Sequence, residues 1–484
     1  MARPLLPNSF VVFQDGQMPR GPVPSGIFVF IGVGDGSATP GVVTAVNSPN
    51  DIQGLFGVGG LARDLTTFFL SGGGFCYAIQ LASTTPGSAG VVTVGQFTGL
   101  TAQGTGLRGG WDVRGRIVVA GALGIAQVIY SFDGGNTWGS PQVLQAGVNV
   151  VKGYGNFAPG VTVTPTPASY VIDARPDGSG VSAQEFAFVV TAPVVTPAGI
   201  LAAMDTAIQD PGLFFNAFHI STTDPAATTT ASLLLQPIAN KLDDSAVTWF
   251  KYLYAIVQAP PQATGTLAAT FARAIRGLFA HNRVQLVIQP MIVKSLGGQF
   301  NMNVSPVVAA RRASLEPQND LKIVRAGQLL SVISFPLTGW STSDVVALDQ
   351  VQNNVTVRQI FGAAGFYFTN GWMTDPSSDY SADKFRLVAD LCAADVRTAG
   401  IGFIGMDVDP SDPAASAQAL LQVCNAPLQV RVQKKQLSRA KLSIPPGQDV
   451  LSTRTLVVTV SLIPMASADW IQFNVGFQSP FAGG

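Results

Sequence analysis

The stretch that most constrains this chain is its closing one, Arg454 to Phe481, RTLVVTVSLIPMASADWIQFNVGFQSPF. Two strands are legible in it. In the first, Leu456, Val458, Val460 and Leu462 fall on one face. In the second, which begins at Trp470, the apolar residues Ile471, Phe473, Val475 and Phe477 alternate with Gln472, Asn474, Gly476 and Gln478. Sustained alternation of this kind marks a half-buried strand. A terminal strand must cover both its backbone edges and its apolar face. Its partner is either this chain's own sheet or the sheet of a neighbouring copy, and that choice governs the functional reading.

Composition bears on the choice. The 484 residues suffice for about three domains. Hydrophobic residues make up 47% and charged residues only 12%, against about 25% charged in ordinary soluble domains. Lys and Arg number 28, as do Asp and Glu, so no net charge draws the chain to nucleic acid or to an anionic membrane. Few charges and no net charge make a poorly soluble monomer. We therefore expect a surface covered by copies of the chain or by other partners; a large, well-packed monomer is the alternative. The apolar run Phe186 to Met204 is interrupted by Pro193 and Pro197 and reads as strand, turn and helix start, so no membrane insertion is expected. The opening MARPLLPNSF has no signal-peptide core. Cys76, Cys392 and Cys424 are widely spaced in apolar contexts and read as core thiols in a reducing compartment.

In chain order, residues 1–25 hold five prolines around a short apolar strand, Phe10, Val11, Val12 and Phe13, and read as an extended arm. Gly26 to Val33 is a buried strand. Asp51 to Phe56 is a helical turn ending at Gly57, and Leu61, Leu65, Phe68 and Phe69 recur at helical spacing before Gly72-Gly73-Gly74. Phe75 to Leu81 is the next strand. From Pro86 to Gly180 helical periodicity vanishes, which predicts an all-β insertion. Within it, SFDGGNTW (Ser131 to Trp138) resembles the Asp-box hairpin of sialidase propellers; by that resemblance Asp133 and Gly135 build a tight turn over Trp138, with no catalytic role. Glu185 to about Pro336 alternates helix and strand, the pattern of a layered α/β sheet. Ser341 to Gly400 reads as helical and acidic. Over 341–420 there are ten Asp against four Lys or Arg, and over 425–454 six Lys or Arg against Asp449 alone. That separation of sign suggests complementary surfaces, within the chain or between copies; two solvated faces are the alternative.

Catalytic patterns are lacking. Gly32, Gly34 and Gly36 follow a strand, but Thr39-Pro40-Gly41 stands where a dinucleotide site needs a helix start. Asp407, Asp409 and Asp412 resemble the opening of a calcium loop without its glycine and closing glutamate. His219 and His281 sit in apolar or helix-end contexts. We expect no enzyme activity, no metal and no cofactor.

Three blocks carry a family resemblance: NSPNDIQGLFG…LARDLTTFFLSGGGFCYAIQLA, then FGAAGFYFTNGWMTDPSSDYSADKFRLVADLCAADVRTAG with Arg386 and Asp390, and the closing TLVVTVSLIPMASADWIQFNVGFQSP. In their order and spacing the chain resembles the tail sheath proteins of contractile phage tails and related injection systems. The resemblance covers about half of the chain. It implies a multidomain α/β and α+β fold. A subtilisin-like α/β domain without catalysis would occupy 26–85 plus 181–340, a β-sandwich or barrel-like outer domain 86–180, and an inner, tube-facing domain 341–469. Arms at 1–25 and 470–484 would pair with neighbouring copies by adding strands to their sheets.

The function so implied is a virion structural protein. It would polymerise as rings or a helix around the tail tube, meet baseplate and terminator proteins, and contract by rigid-body rearrangement to drive the tube through the host envelope. It would assemble in the host cytoplasm and bind no nucleic acid. Candidate tube or neighbour contacts are Lys384, Arg386, Arg397, Arg431, Lys434, Lys435, Arg439 and Lys441. The competing readings are another tail protein or adhesin, and an α/β hydrolase-like or nucleotide-binding enzyme.

Overall fold

The computed structural model describes residues 26–94, 100–104, 110–153, 160–165, 169–170, 185–221, 228–260, 262–336, 339–359 and 365–467. Phe28–Val33 (β1) is buried along its whole length. Its side chains alternate between two cores: Phe28 and Phe30 enter one, Val29, Ile31 and Val33 the other. A strand covered on both faces carries a continuous apolar run, which is why FVFIGV shows no polar alternation. With it lie Val43–Val46 (β2), Cys76–Leu81 (β3), Ala217–Ile220 (β4), Tyr254–Gln258 (β5), Val284–Val287 (β6) and Asn354–Val355 (β7). The sheet order is β2-β3-β1-β4-β5-β6-β7, parallel throughout except where β2 meets β3.

Helices Ile52–Phe56 (α1), Gly60–Leu70 (α2), Pro197–Gln209 (α3), Thr228–Thr248 (α4), Gly265–Leu278 (α5), Ser305–Ser314 (α6) and Thr342–Asp349 (α7) supply the layers. The first, second and sixth cover the Phe28 face through Phe56, Leu61, Leu65, Phe68 and Val308. The other four cover the opposite face through residues such as Met204, Ile238, Ala272 and Leu348. Local sequence sets the ends. Gly72 adopts φ 91° after α2, and the N–H groups of Gly72 and Gly73 donate to Phe69 O and Phe68 O at 3.1 and 2.9 Å, a Schellman stop. Ser341 and Asp344 form a capping box at the start of α7.

Described residues between 86 and 180 contain strands and turns only. The main sheet there runs Thr93–Val94, Glu185–Val190, Trp111–Val119, Gln127–Ser131, Gln142–Val143, all antiparallel. Glu185–Val190 was expected to open the α/β segment; instead it is hydrogen-bonded here, so this sheet takes a strand from beyond residue 180. Its apolar side chains Phe186 and Phe188 fit the face already built by Trp111, Val113 and Tyr130. That face is continuous with the body: Trp111 meets Phe300 edge-on at 5.6 Å, and the Arg63 guanidinium lies 4.4 Å over the Trp111 ring.

Ser341 to Gly400, read as helical, holds strands as well. Between α7 and residue 383 lie β7 and the hairpin Val357–Gln359 with Phe366–Phe368. The parallel sheet thus extends past the expected limit at 340, because Val345, Leu348 and Val351 complete its second core.

Candidate functional site

Beyond the sheet the chain forms a small unit from Asp383–Gly400 (α8), Pro413–Ser416 (α9), Gln418–Gln433 (α10), the strand Leu437–Ser443, Val450–Thr453 (α11) and the strand Thr459–Pro464. The long helices α8 and α10 run antiparallel: Arg431 reaches back to Asp395 and to Leu391 O, and Cys424 Sγ donates to Val396 O at 3.7 Å. The two strands pair antiparallel, Arg439 opposite Ile463 and Leu442 opposite Val460. The alternation read from the sequence is present: Val460 and Leu462 pack with Leu437 and Ala440 of the paired strand and Leu428 of α10, while Ser461 and Ile463 face outward. Val388, Cys392, Leu428, Leu437 and Ala440 are the buried members of this core. Burial among them pushes the Cys392 thiol up to about 12. Among the described residues the sheet has just these two strands, so each has one edge with no further strand beside it among those residues.

The N-terminal half of α8 is sunk into the α/β body. Arg283, just ahead of β6, donates to both oxygens of Asp390 at 3.1 Å and to Leu253 O at 3.0 Å. Arg312 on α6 is fully buried, donates to Asn319 O at 2.7 Å and lies 3.5 Å from Asp383. Desolvation dominates these acids: burial pushes the Asp383 carboxyl up to about 6 against the pull of Arg312, and raises that of Asp390 despite two guanidinium partners. Ion pairs so buried locate the helix more than they stabilise it.

This placement decides the fate of the candidate contacts. Lys384 and Arg386 are buried at 3% and 8% exposure. Lys384 Nζ sits 3.6 Å from Asp320 and bonds Ser467 Oγ; Arg386 pairs with Asp390 and stacks 4.4 Å over Tyr380. Both therefore point into the chain and leave the set of surface contacts. Arg397 and Arg431 are half-buried, the first 3.3 Å over the Phe250 ring, the second paired with Asp395 and donating to Gln436 at 2.8 Å. Lys434, Lys435, Arg439 and Lys441 are exposed. Arg439 and Lys441 lie on the outward face of the hairpin, and Lys434 and Lys435 follow the end of α10. The arm residues Phe10, Val11, Val12, Phe13, Trp470, Ile471, Phe473, Val475 and Phe477 lie outside the described residues.

A family model described as DUF2586, N-terminal domain, matches residues 9–372. The chain belongs to the DUF2586 family. That match ends ahead of α8. No curated relative matches the DUF2586 chain. Among solved structures, a chain of the contracted-state sheath complex of an extracellular contractile injection system, PVC, is 11% identical with a TM-score of 0.54, over 99% of each chain. A chain of the anti-feeding prophage (AFP) baseplate, 6-fold symmetrised, is 11% identical with a TM-score of 0.51, over 98% of this chain and 99% of that one. A chain of the AFP baseplate in its contracted state is 13% identical with a TM-score of 0.51, over 99% and 100%. At such identities the likeness is one of fold. That fold, shared over near-full length with a chain of the contracted PVC sheath complex, includes the C-terminal unit of this DUF2586 chain.

The titratable groups of the DUF2586 body are placed by packing. The glycine turn after β1 is filled by the chain itself: a Cβ on Gly36 would stand 2.3 Å from the backbone of Leu55, and Gly36 N donates to Gln80 Oε1 at 3.3 Å. His219 Nε2 lies 3.0 Å from Ser305 Oγ, and burial lowers the imidazole to about 3. His281 accepts from Arg283 N–H through Nδ1, at 3.2 Å, and meets Asp243 through Nε2, at 3.0 Å. Among the described residues no cluster of three or more His, Cys, Asp or Glu could hold a metal ion, and no helix is long and apolar enough to cross a membrane.

Proposed function

We propose that this protein is the sheath subunit of a contractile tail or injection system, a structural protein without catalytic activity. The observation that carries the reading is the near-full-length likeness of fold to a chain of the contracted PVC sheath complex. The layered sheet β2-β3-β1-β4-β5-β6-β7 would be the subtilisin-like domain, the antiparallel sheet around Trp111–Val119 the outer domain, and the α8–α10 unit the inner domain facing the tail tube. Copies would stack as rings or a helix around the tube protein, anchored at the baseplate and capped by a terminator protein. Contraction would proceed by rigid rotation of each subunit into new outer contacts, driving the tube through the host envelope. Both the virion and the assembling host cytoplasm would contain it.

The two edges of the Leu437–Ser443 and Thr459–Pro464 sheet, with no further strand beside them among the described residues, support strand addition by the terminal segments of neighbouring copies. Residues 10–13 and 470–477 are the segments proposed to add. Exposed Arg439 and Lys441 suit a tube contact that must release, since charged contacts in water are weak and screened. Removing residues 470–484 tests the arm directly. Electron microscopy of the truncated protein is expected to show no sheaths; normal sheaths from it would refute strand addition by this arm.

A further inference from the structure

The antiparallel helix pair carries opposite charge at its two ends. Past the end of α8, the segment 404–412 exposes Asp407, Asp409 and Asp412. Asp412 caps α9, accepting from Ala415 N at 3.0 Å. Asp409 accepts from Ser411 N–H and hydroxyl at 2.9 and 2.7 Å, and those bonds hold its carboxyl below the ordinary range. Turn formation thus accounts for a carboxylate at two positions, but it leaves the charge unbalanced and does not account for Asp407. Arg454 borders the cleft beside Asp407, and no ion pair joins it to the three acids among the described residues.

At the opposite end a groove of about 700 Å3 opens between the segment after α6 and the end of α10, bordered by Lys322, Arg325, Lys434 and Lys435. Of its two acids, Asp320 is already engaged by Lys384 at 3.6 Å and Lys322 at 3.8 Å, and Glu316 accepts from Gln318 at 2.6 Å. Arg325, Lys434 and Lys435 are exposed and leave the groove positive. The 18 residues of α8 set the two ends about 27 Å apart. That exceeds the screening length of about 8 Å at physiological salt, so the ends do not neutralise each other within one chain.

We propose that the acidic segment 404–412 of one copy seats in the basic groove of the next. The occupant is a second copy because the chain as a whole carries as many acids as bases, 28 of each, and the two patches complement one another in sign and position. A contact between two different patches is head-to-tail, and repeats into a ring or an open helix. The inference deepens the sheath reading and rests on it for the form of the polymer.

Two variants of the full chain test it. One reverses the segment, Ile404→Lys and Asp407→Lys with Asp409→Asn, which leaves Asp412 as its only acid against two Lys, keeps the Ser411 turn and the Asp412 cap, and changes an Ile that is 79% exposed. The other reverses the groove, Lys434→Glu with Lys435→Glu. Sedimentation velocity at low salt reads the concentration at which each assembles. Either variant alone is expected to need about tenfold more protein than wild type, the effect of about 1.4 kcal/mol per contact. An equimolar mixture is expected to recover wild-type assembly, since each variant then meets a complementary partner; that recovery also shows that both are folded. Assembly of the single variants at the wild-type concentration, or no recovery on mixing, overturns the contact and leaves the sheath reading standing. A wild-type chain that stays monomeric at every concentration overturns both.

Discussion

Arg283 Nη1 lies 3.1 Å from each carboxylate oxygen of Asp390, joining the strand side of the parallel sheet to the helix that carries the C-terminal unit. Arg386 shares the same carboxylate. Asp390→Ala leaves Arg386 buried without its carboxylate and Arg283 with Asp243 alone, at 3.5 Å, and removal of one partner from a buried pair costs about 3–5 kcal/mol. Thermal unfolding is expected to show that loss, and limited proteolysis to cut first near α8. A variant as stable as wild type would mean that the pair does not hold the unit.

A second joint ties the β-rich segment to the body. Asp133 accepts from Ser131 Oγ at 2.6 Å, from Thr137 N at 2.8 Å, and from the backbone N–H of Gln299 at 3.1 Å. Asp133→Ala strands these donors, each worth about 1–3 kcal/mol when left unsatisfied in a buried site. Denaturant unfolding should show a loss of about 3 kcal/mol. Amide exchange should quicken at Gln299; an unchanged Gln299 would confine the turn's role to its own hairpin.

The C-terminal unit has a small core of its own. Leu428 is fully buried there among few apolar neighbours. Leu428→Ala should cost about 2–5 kcal/mol, expressed as local opening. Hydrogen exchange is expected to rise through α8, α10 and the 437–464 hairpin while β1 and β4 keep their protection. A uniform rise across all elements would show that the unit does not open separately.

Asp64 on α2 is buried, and Ser221 Oγ donates to it. Burial pushes its carboxyl up to about 6 against the opposing pull of Ser221 and Arg63. Between about pH 4 and 6 the folded chain therefore binds more protons at this site than the unfolded chain, so stability from this group falls as pH rises. Relative to Asp64→Asn, wild type should lose on the order of 3 kcal/mol across that window. A stability difference independent of pH would place the Asp64 carboxyl in its ordinary range.

Elements whose pattern is local were legible in the sequence. β1 and α2 announce themselves because both faces of one and the core stripe of the other are apolar, and Gly72 marks the stop. The SFDGGNTW turn is closed by its own residues, with Gly134 and Gly135 at φ 72° and 91°. Non-local partners were not legible. Glu185–Val190 was misassigned because a strand's sheet is set by its pairing, here with Trp111–Val119. Lys384 and Arg386 looked like surface cations because the groups that let them be buried, Asp320 and the Asp390 pair with Arg283, are fixed by packing. The turn at Leu296 and Gly297, φ 42° and 79°, lacks the usual Asn-Gly signal and conceals the hairpin Pro290–Ser295 with Gly298–Asn303.

The account as a whole stands on self-assembly into a tube. Negative-stain electron microscopy of the purified full chain at high concentration measures this directly. Long hollow tubes of uniform width are the predicted result. Particles that remain monomers or close into small compact oligomers, such as trimers, would contradict it.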